Sequence, residues 1–192
     1  YIIFSGTGKE VYRSSDLGRT WTITNDTFTS NSILVGESDL NNNLFIVAGP
    51  GDIYKSNNSG KTWTFVSDFN SGTENAKGIA INSSNGIFIV DSSDAVYASS
   101  NQAISWTQQT SDYGGNTADD MASDGTNLYI LFSQETHKSS NQGVSWSITN
   151  SSLSNQDSLT IISDSQNNLY VIDPSGDVYK SSNQGVSWIL IS

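Results

Sequence analysis

The sequence has no cysteine, one histidine, and only eight lysine and arginine residues against 19 aspartate and glutamate residues, so its formal net charge is −11. Without cysteine, disulfides, thiolate metal sites and cysteine nucleophiles are excluded, although the compartment stays open. The shortage of basic residues argues against nucleic acid and anionic membranes as partners, because both require a basic surface that neutralises phosphate.

Long apolar runs are also missing. No stretch approaches the roughly 20 apolar residues that span a bilayer, so we expect no membrane insertion. Tyr1 leads directly into Ile2-Ile3-Phe4 without a basic segment before it, so we see no signal peptide and expect a processed or truncated amino terminus.

The chain does contain a polar, uncharged background of Ser, Asn, Thr and Gly, interrupted by regularly spaced apolar and aromatic clusters. A length of 192 residues fits one domain, and 35% hydrophobic with 14% charged residues suits many short strands joined by polar turns. The clusters argue against disorder.

An eight-residue segment, which we call the box, organises the chain. It spans Ser14–Trp21 and returns at Ser56–Trp63, Ser99–Trp106, Ser139–Trp146 and Ser181–Trp188, so it contains all five tryptophans at intervals of 40 to 43 residues. A fixed period of this size predicts a repeat architecture. We place the repeats at about 1–24, 32–67, 78–108, 119–149 and 158–192, within a single domain covering 1–192.

Each period reads as four short strands, which we name A to D in chain order. Because such a unit cannot cover both of its faces, copies must stack, either radially as a propeller or as an open solenoid. Four strands in about 42 residues favour the propeller. The first repeat begins at strand B. We therefore predict an all-β, five-bladed β-propeller of four-stranded antiparallel blades, with a first blade that lacks its innermost strand.

The box resembles the Asp-box, or BNR repeat, whose pattern is S-x-D-x-G-x-T-W and which occurs in sialidases, some endoglucanases, sortilin-type receptors and photosystem-assembly propellers. The first copy matches every defined position, whereas later copies carry asparagine at the third position and the third copy has Ala103 in place of glycine. The resemblance implies a propeller but no single activity, because unrelated proteins share this element. Sialidases of this family hold the substrate carboxylate with three arginines. This chain has only Arg13 and Arg19, so it cannot assemble that triad.

We assign the box residues a structural role. The third residue is expected to accept backbone N–H bonds, the fifth to adopt a positive φ, and the tryptophan to pack between neighbouring blades. Ala103 should strain the third box or force a different turn. The residues with this role are Ser14, Asp16, Gly18, Trp21, Asn58, Gly60, Trp63, Asn101, Trp106, Asn141, Gly143, Trp146, Asn183, Gly185 and Trp188.

The only histidine, His137, occupies a strand C position that holds tyrosine in the other four repeats: Tyr12, Tyr54, Tyr97 and Tyr179. We interpret it as a packing residue. A metal site needs several converging ligands, and a catalytic triad needs partners that the sequence does not place beside it.

The strand order puts the D–A and B–C loops on one face of the propeller and the A–B loops and boxes on the other. The D–A loops are the longest and most variable, and variable loops on a rigid scaffold are favoured binding sites. The candidate binding-face residues are Asp91, Asp94, Tyr113, Asp119, Asp120 and Asp173. Calcium could bind at Asp119-Asp120 or Asp173–Asp177, but no full ligand loop is present. We expect solvated turns, with no metal and no cofactor.

We favour a non-enzymatic binding or structural module that takes a protein or glycan ligand on the loop face. The alternative is a glycoside hydrolase, or its substrate-binding propeller, since that chemistry needs only two suitably spaced carboxylates. The four N-x-S/T sequons, the lack of cysteine and the scarcity of lysine favour an extracellular or cell-surface location. The unpaired edge formed by Ile2-Ile3-Phe4 could also support homo-assembly through a donated strand.

Overall fold

The structure of the protein is a computed structural model that describes residues 2–4, 10–25, 28, 32–110, 117–132, 135–150, 153 and 160–192. All regular structure in these residues is β-strand. None of the described residues forms a helix with the length and apolar character needed to cross a membrane.

The described strands form five antiparallel sheets, one for each repeat. Sheet 1 contains β1 (Ile2–Phe4), β2 (Val11–Arg13) and β3 (Thr22–Asn25). Sheet 2 contains β4 (Ile33–Ser38), β5 (Leu44–Ala48), β6 (Asp52–Ser56) and β7 (Thr64–Asp68). Sheet 3 contains β8 (Ala76–Ile81), β9 (Ile87–Asp91), β10 (Val96–Ser99) and β11 (Thr107–Thr110). Sheet 4 contains β12 (Ala118–Ser123), β13 (Leu128–Phe132), β14 (Glu135–Ser139) and β15 (Ser147–Asn150). Sheet 5 contains β16 (Thr160–Ser163), β17 (Leu169–Ile172), β18 (Val178–Ser181) and β19 (Ile189–Leu190).

Each sheet is a simple meander in which consecutive strands pair, and the sheets are arranged as propeller blades. The predicted all-β class, four-stranded blades and incomplete first blade are confirmed. In sheet 1, β1 pairs with β2, and no described strand lies along the other edge of β1. Assembly through that edge stays a prediction.

The D strands begin directly after the tryptophan of the box. Strand β7, for example, starts at Thr64. The backbone N–H of Thr62 donates to Oδ1 of Asn58 at 3.0 Å. Because the box uses this N–H, the ladder with β6 can start only after Trp63.

The box has the same hydrogen bonds in all five copies. The first serine donates to Oδ1 of the third residue at 2.8–2.9 Å and accepts the N–H of the fifth residue at 2.8–3.0 Å. The same Oδ1 accepts the N–H of the seventh residue at 2.9–3.0 Å. One serine and one aspartate or asparagine therefore close the loop between strands C and D.

A further bond joins the side chains of the third and seventh box residues, and it explains why aspartate and asparagine interchange at the third position. In the first box, the hydroxyl of Thr20 donates to Oδ2 of Asp16 at 2.6 Å. In the second box, Nδ2 of Asn58 donates instead to the hydroxyl of Thr62 at 2.7 Å. A hydroxyl can serve as donor or acceptor, so the bond survives the change with its direction reversed.

Ala103 keeps the same turn as the glycines that replace it in other boxes. Its φ is +68°, and its N–H donates to Ser99 Oγ at 3.0 Å. Its methyl group is fully buried in the core between sheets 2 and 3. At Gly185, by contrast, an added Cβ would lie 2.9 Å from Oγ1 of Thr149 in sheet 4. The fifth box residue is therefore limited by its φ and by the space that the preceding sheet leaves.

Four apolar cores lie between consecutive sheets, and each contains the tryptophan of the later sheet: Trp63, Trp106, Trp146 and Trp188. Among the described residues, the connection from strand D to the next strand A adds the buried side chains of Phe28, Phe69 and Leu153 to the cores. Phe28 packs edge-on against Tyr54 at 4.8 Å between ring centroids, and Phe69 packs in the same way against Tyr97 at 5.2 Å. These side chains fix each blade against the next.

His137 lies buried in the tyrosine position of sheet 4. Its ring centroid is 4.6 Å from that of Phe132, and its Nε2 lies 3.5 Å from a carboxylate oxygen of Glu135. Burial lowers the pKa of His137 below its ordinary value, although Glu135 opposes the shift. The contacts suit an uncharged aromatic ring in a packed environment.

Candidate functional site

The A strands of sheets 2 to 5 line a central channel. Strands β4, β8, β12 and β16 border one open cavity of about 340 Å³, which falls within the size range of ligand sites in proteins. The cavity continues along the same four strands to the A–B turns. The channel is therefore a concave feature that these four A strands share.

Two contacts hold the A strands close together around the channel. At Gly78 an added Cβ would lie only 2.3 Å from the backbone nitrogen of Met121, so β8 and β12 approach each other backbone to backbone. Only glycine permits this approach. Between sheets 4 and 5, Oδ2 of Asp120 accepts hydrogen bonds from the hydroxyl of Thr160 at 2.6 Å and from the N–H of Ile161 at 3.0 Å.

The channel carries acidic groups from two sides. Glu37 of β4, and Asp119 and Asp120 of β12, line it together with Lys77 of β8. Burial raises the pKa of Asp120 to about 6, and the negative charge of Glu37 adds to the shift, while the hydrogen bonds from Thr160, Ile161 and Met121 oppose it. Burial also raises the pKa of Glu37. The described lining residues supply three carboxyl groups and one ammonium group, so the channel that they form favours a cationic group near neutral pH.

The end of the channel at the A–B turns is built differently. There, Asp39, Asn82, Asp124 and Asp164 hold equivalent positions, and Oδ1 of each accepts two backbone N–H bonds of its own turn. Hydrogen bonds, chiefly from the side chain of Asn168, lower the pKa of Asp164 to about 2. These oxygens are already used by the backbone, so this end is structural.

The residues of the predicted binding face do not form one open surface. Asp91 and Asp173 are buried, and Oδ1 of each accepts two N–H bonds of its B–C turn at 2.9–3.0 Å. Oδ1 of Asp94 accepts the N–H of Ala118 in the next sheet at 2.8 Å. Asp119 and Asp120 line the channel, and Tyr113 lies outside the described residues.

Sequence reasoning missed Glu37, Lys77 and Thr160 as channel residues. Nothing in the repeat pattern marks them, because strand A carries different side chains in each sheet. A weak signal was available in the topology, since strand A is the innermost strand of every propeller blade. Within the part of the chain that the structure describes, no three histidine, cysteine or acidic side chains converge as metal ligands would. The absence of bound calcium stays a prediction.

The fold and channel define this protein as a β-propeller. No protein-family model matches the sequence, and no curated protein matches it. Among solved structures, the chain is similar to one described as YCF48 bound to D1 peptide, with a TM-score of 0.65 and 16% sequence identity. The match covers 94% of this chain and 60% of the YCF48 chain. At this identity the likeness shows the fold alone.

Proposed function

We propose that this protein is a non-enzymatic, protein-binding module of the Asp-box type, whose channel takes an extended polypeptide segment carrying lysine or arginine. The observation that carries the proposal is the acidic channel, in which Glu37 and Asp119 lie on rigid strands together with Lys77. Charge complementarity of this kind selects partners and raises association rates. The solved YCF48 structure holds a peptide, which supports a polypeptide ligand for a propeller of this shape.

A random dodecapeptide library displayed on phage tests the ligand class. Peptides enriched on the immobilised protein are expected to be rich in lysine and arginine, and their binding should weaken as salt is raised, because exposed ion pairs are screened. Enrichment of acidic or purely apolar peptides, or of none, would contradict the proposal.

A second candidate is glycoside hydrolysis, favoured by the raised pKa of Asp120 next to Glu37. Against it, both oxygens of Asp120 already accept hydrogen bonds, Oδ1 from Met121 N–H at 2.7 Å and Oδ2 from sheet 5. Release of 4-nitrophenol from a panel of aryl glycosides, abolished by Glu37→Gln, would establish this activity in place of peptide binding. A glycan ligand would instead be detected by binding to a glycan array.

We also propose an extracellular or cell-surface location, where a cysteine-free, lysine-poor chain is at no disadvantage. Of the four sequons, Asn57 is exposed, whereas Asn82 is buried and its side-chain oxygen caps the turn of sheet 3. Protease treatment of intact source cells tests the location, since an outside protein is degraded and an inside one is protected.

A further inference from the structure

We call the side of each sheet that contacts the next sheet along the chain its trailing face. The trailing face of sheet 5 is an apolar surface that no described residue covers. In sheet 4 the trailing face contains Ala122, Tyr129, Leu131 and Thr136, all of which are at most 6% exposed because sheet 5 covers them.

The strand registers identify the residues of sheet 5 that are equivalent to these. Ala122 and Tyr129 form a cross-strand pair in sheet 4, and the equivalent pair in sheet 5 is Ile162 and Tyr170. Likewise, the pair of Leu131 and Thr136 corresponds to the pair of Ile172 and Val178. In sheet 5, Ile162 is 52% exposed, and Tyr170, Ile172 and Val178 are only partly buried. Ile191, which corresponds to Thr149 of sheet 4, is 50% exposed.

A polar contact between consecutive sheets indicates which side chain of the next sheet this face binds. Nζ of Lys55 in sheet 2 donates to Oε1 of Gln102, the fourth box residue of sheet 3. Nζ of Lys138 in sheet 4 donates in the same way to Gln184, the fourth box residue of sheet 5. Strand C of one blade thus reaches the box of the next.

Lys180 holds the same strand C position in sheet 5. Its Nζ lies 5.5 Å above the ring of Tyr170, as Nζ of Lys55 lies 5.5 Å above the ring of Phe45. The described residues offer Lys180 no hydrogen-bond acceptor. The nonapeptide at 138–146 recurs at 180–188 and contains both the lysine and the glutamine of this contact, so each copy can bind the copy that follows.

We propose that the trailing face of sheet 5 binds a further repeat blade with glutamine at the fourth box position, joined to the chain as the five sheets are joined to one another. The first sheet of a second molecule fits less well, because its fourth box residue is Leu17, which offers no acceptor to Lys180.

Because the chain has no cysteine, single cysteines can report which side chains are covered. The test compares the 192-residue chain with an extended chain in which residues 151–192 are repeated after Ser192. Ile162→Cys reports on the proposed interface. Ala122→Cys is a covered control, and Ile148→Cys, at a position 58% exposed on an outer strand, is an uncovered control.

Ile162→Cys should react with a thiol reagent in the 192-residue chain and react about tenfold or more slowly in the extended chain, as expected for a site that requires local opening. An extension with Gln184→Ala and Trp188→Asp, made in the appended copy only, should restore fast labelling. Equal labelling in all three chains would overturn the proposal. So would slow labelling of the 192-residue chain accompanied by a dimer in light scattering, because the cover would then be a second molecule.

Discussion

In the boxes, which join strands C and D, the same hydrogen bonds recur in all five copies. In the A strands, which line the channel, each sheet presents different side chains. The boxes tolerate only exchanges that keep the bonds, such as Asn58 for Asp16. Equivalent positions of the A strands carry Val35, Gly78, Asp120 and Thr160, which have little in common. The difference separates the scaffold of the propeller from the part that can specify a ligand.

The largest expected effect lies on the scaffold side. Trp146→Ala should destabilise the protein by about 3–5 kcal/mol, as truncation of a large aromatic side chain in a core does. Trp146 packs into the core between sheets 3 and 4, and its Nε1 donates to the carbonyl of Gly143 at 3.1 Å. Urea unfolding measures the loss, and an unchanged midpoint would show that the indole does not join the two blades.

A substitution in the channel tests whether the A strands also contribute to stability. Gly78→Ala should cost about 1–3 kcal/mol or more, because its Cβ would meet the backbone of β12 and overpacking has costs of this size. Gly176→Ala is the matched control for a glycine with open space around it, although its φ of +91° adds strain. An unchanged free energy of unfolding in Gly78→Ala would refute the close approach of β8 and β12.

The fifth box residue provides a smaller test. Gly185→Ala should destabilise by about 1–3 kcal/mol because the methyl group would contact Thr149, whereas Ala103→Gly should cost less because it only removes a buried methyl group. Thermal melts of the two variants measure this order. The reverse order would mean that neither the positive φ nor the contact with Thr149 limits this position.

The smallest effect concerns pH. Asp120 has a pKa of about 6 in the folded protein, above its unfolded value, so the folded state holds this proton more tightly than the unfolded state between about pH 4 and 6. Asp120 therefore makes the free energy of unfolding fall as pH rises through this window and level off above it. Glu37, Asp119 and Lys77 are the charged groups that share its surroundings.

Asp120→Asn should remove this fall while keeping an acceptor for Ile161. Measured from pH 4 to 7, the free energy of unfolding of the variant should increase relative to that of the wild type up to about pH 6 and then stay constant. A constant difference across the range would show that Asp120 titrates normally.

The sequence predicts those features that are repeated. Five copies of the box predict the number of sheets, the strand order and the missing strand in sheet 1, because each copy has to bury the same faces. Glu37 and Asp120 occur only once each, so no pattern marks them as channel residues. Asp91 and Asp173 resemble surface acids in the sequence, but Oδ1 of each caps the N–H groups of its own turn, which depends on the local backbone conformation.

The most direct test compares the two ends of the blades in one binding measurement. A lysine-rich peptide from the library is titrated, at equal salt, against the wild type, two channel variants and two box variants. Glu37→Gln should raise the Kd about threefold or more and Lys77→Gln should lower it, which is the range for one partly screened charge. Ile104→Ser and Val144→Ser, at exposed box positions, should leave the Kd unchanged. If the box variants weakened binding while both channel variants left it unchanged, the channel would not be the ligand site.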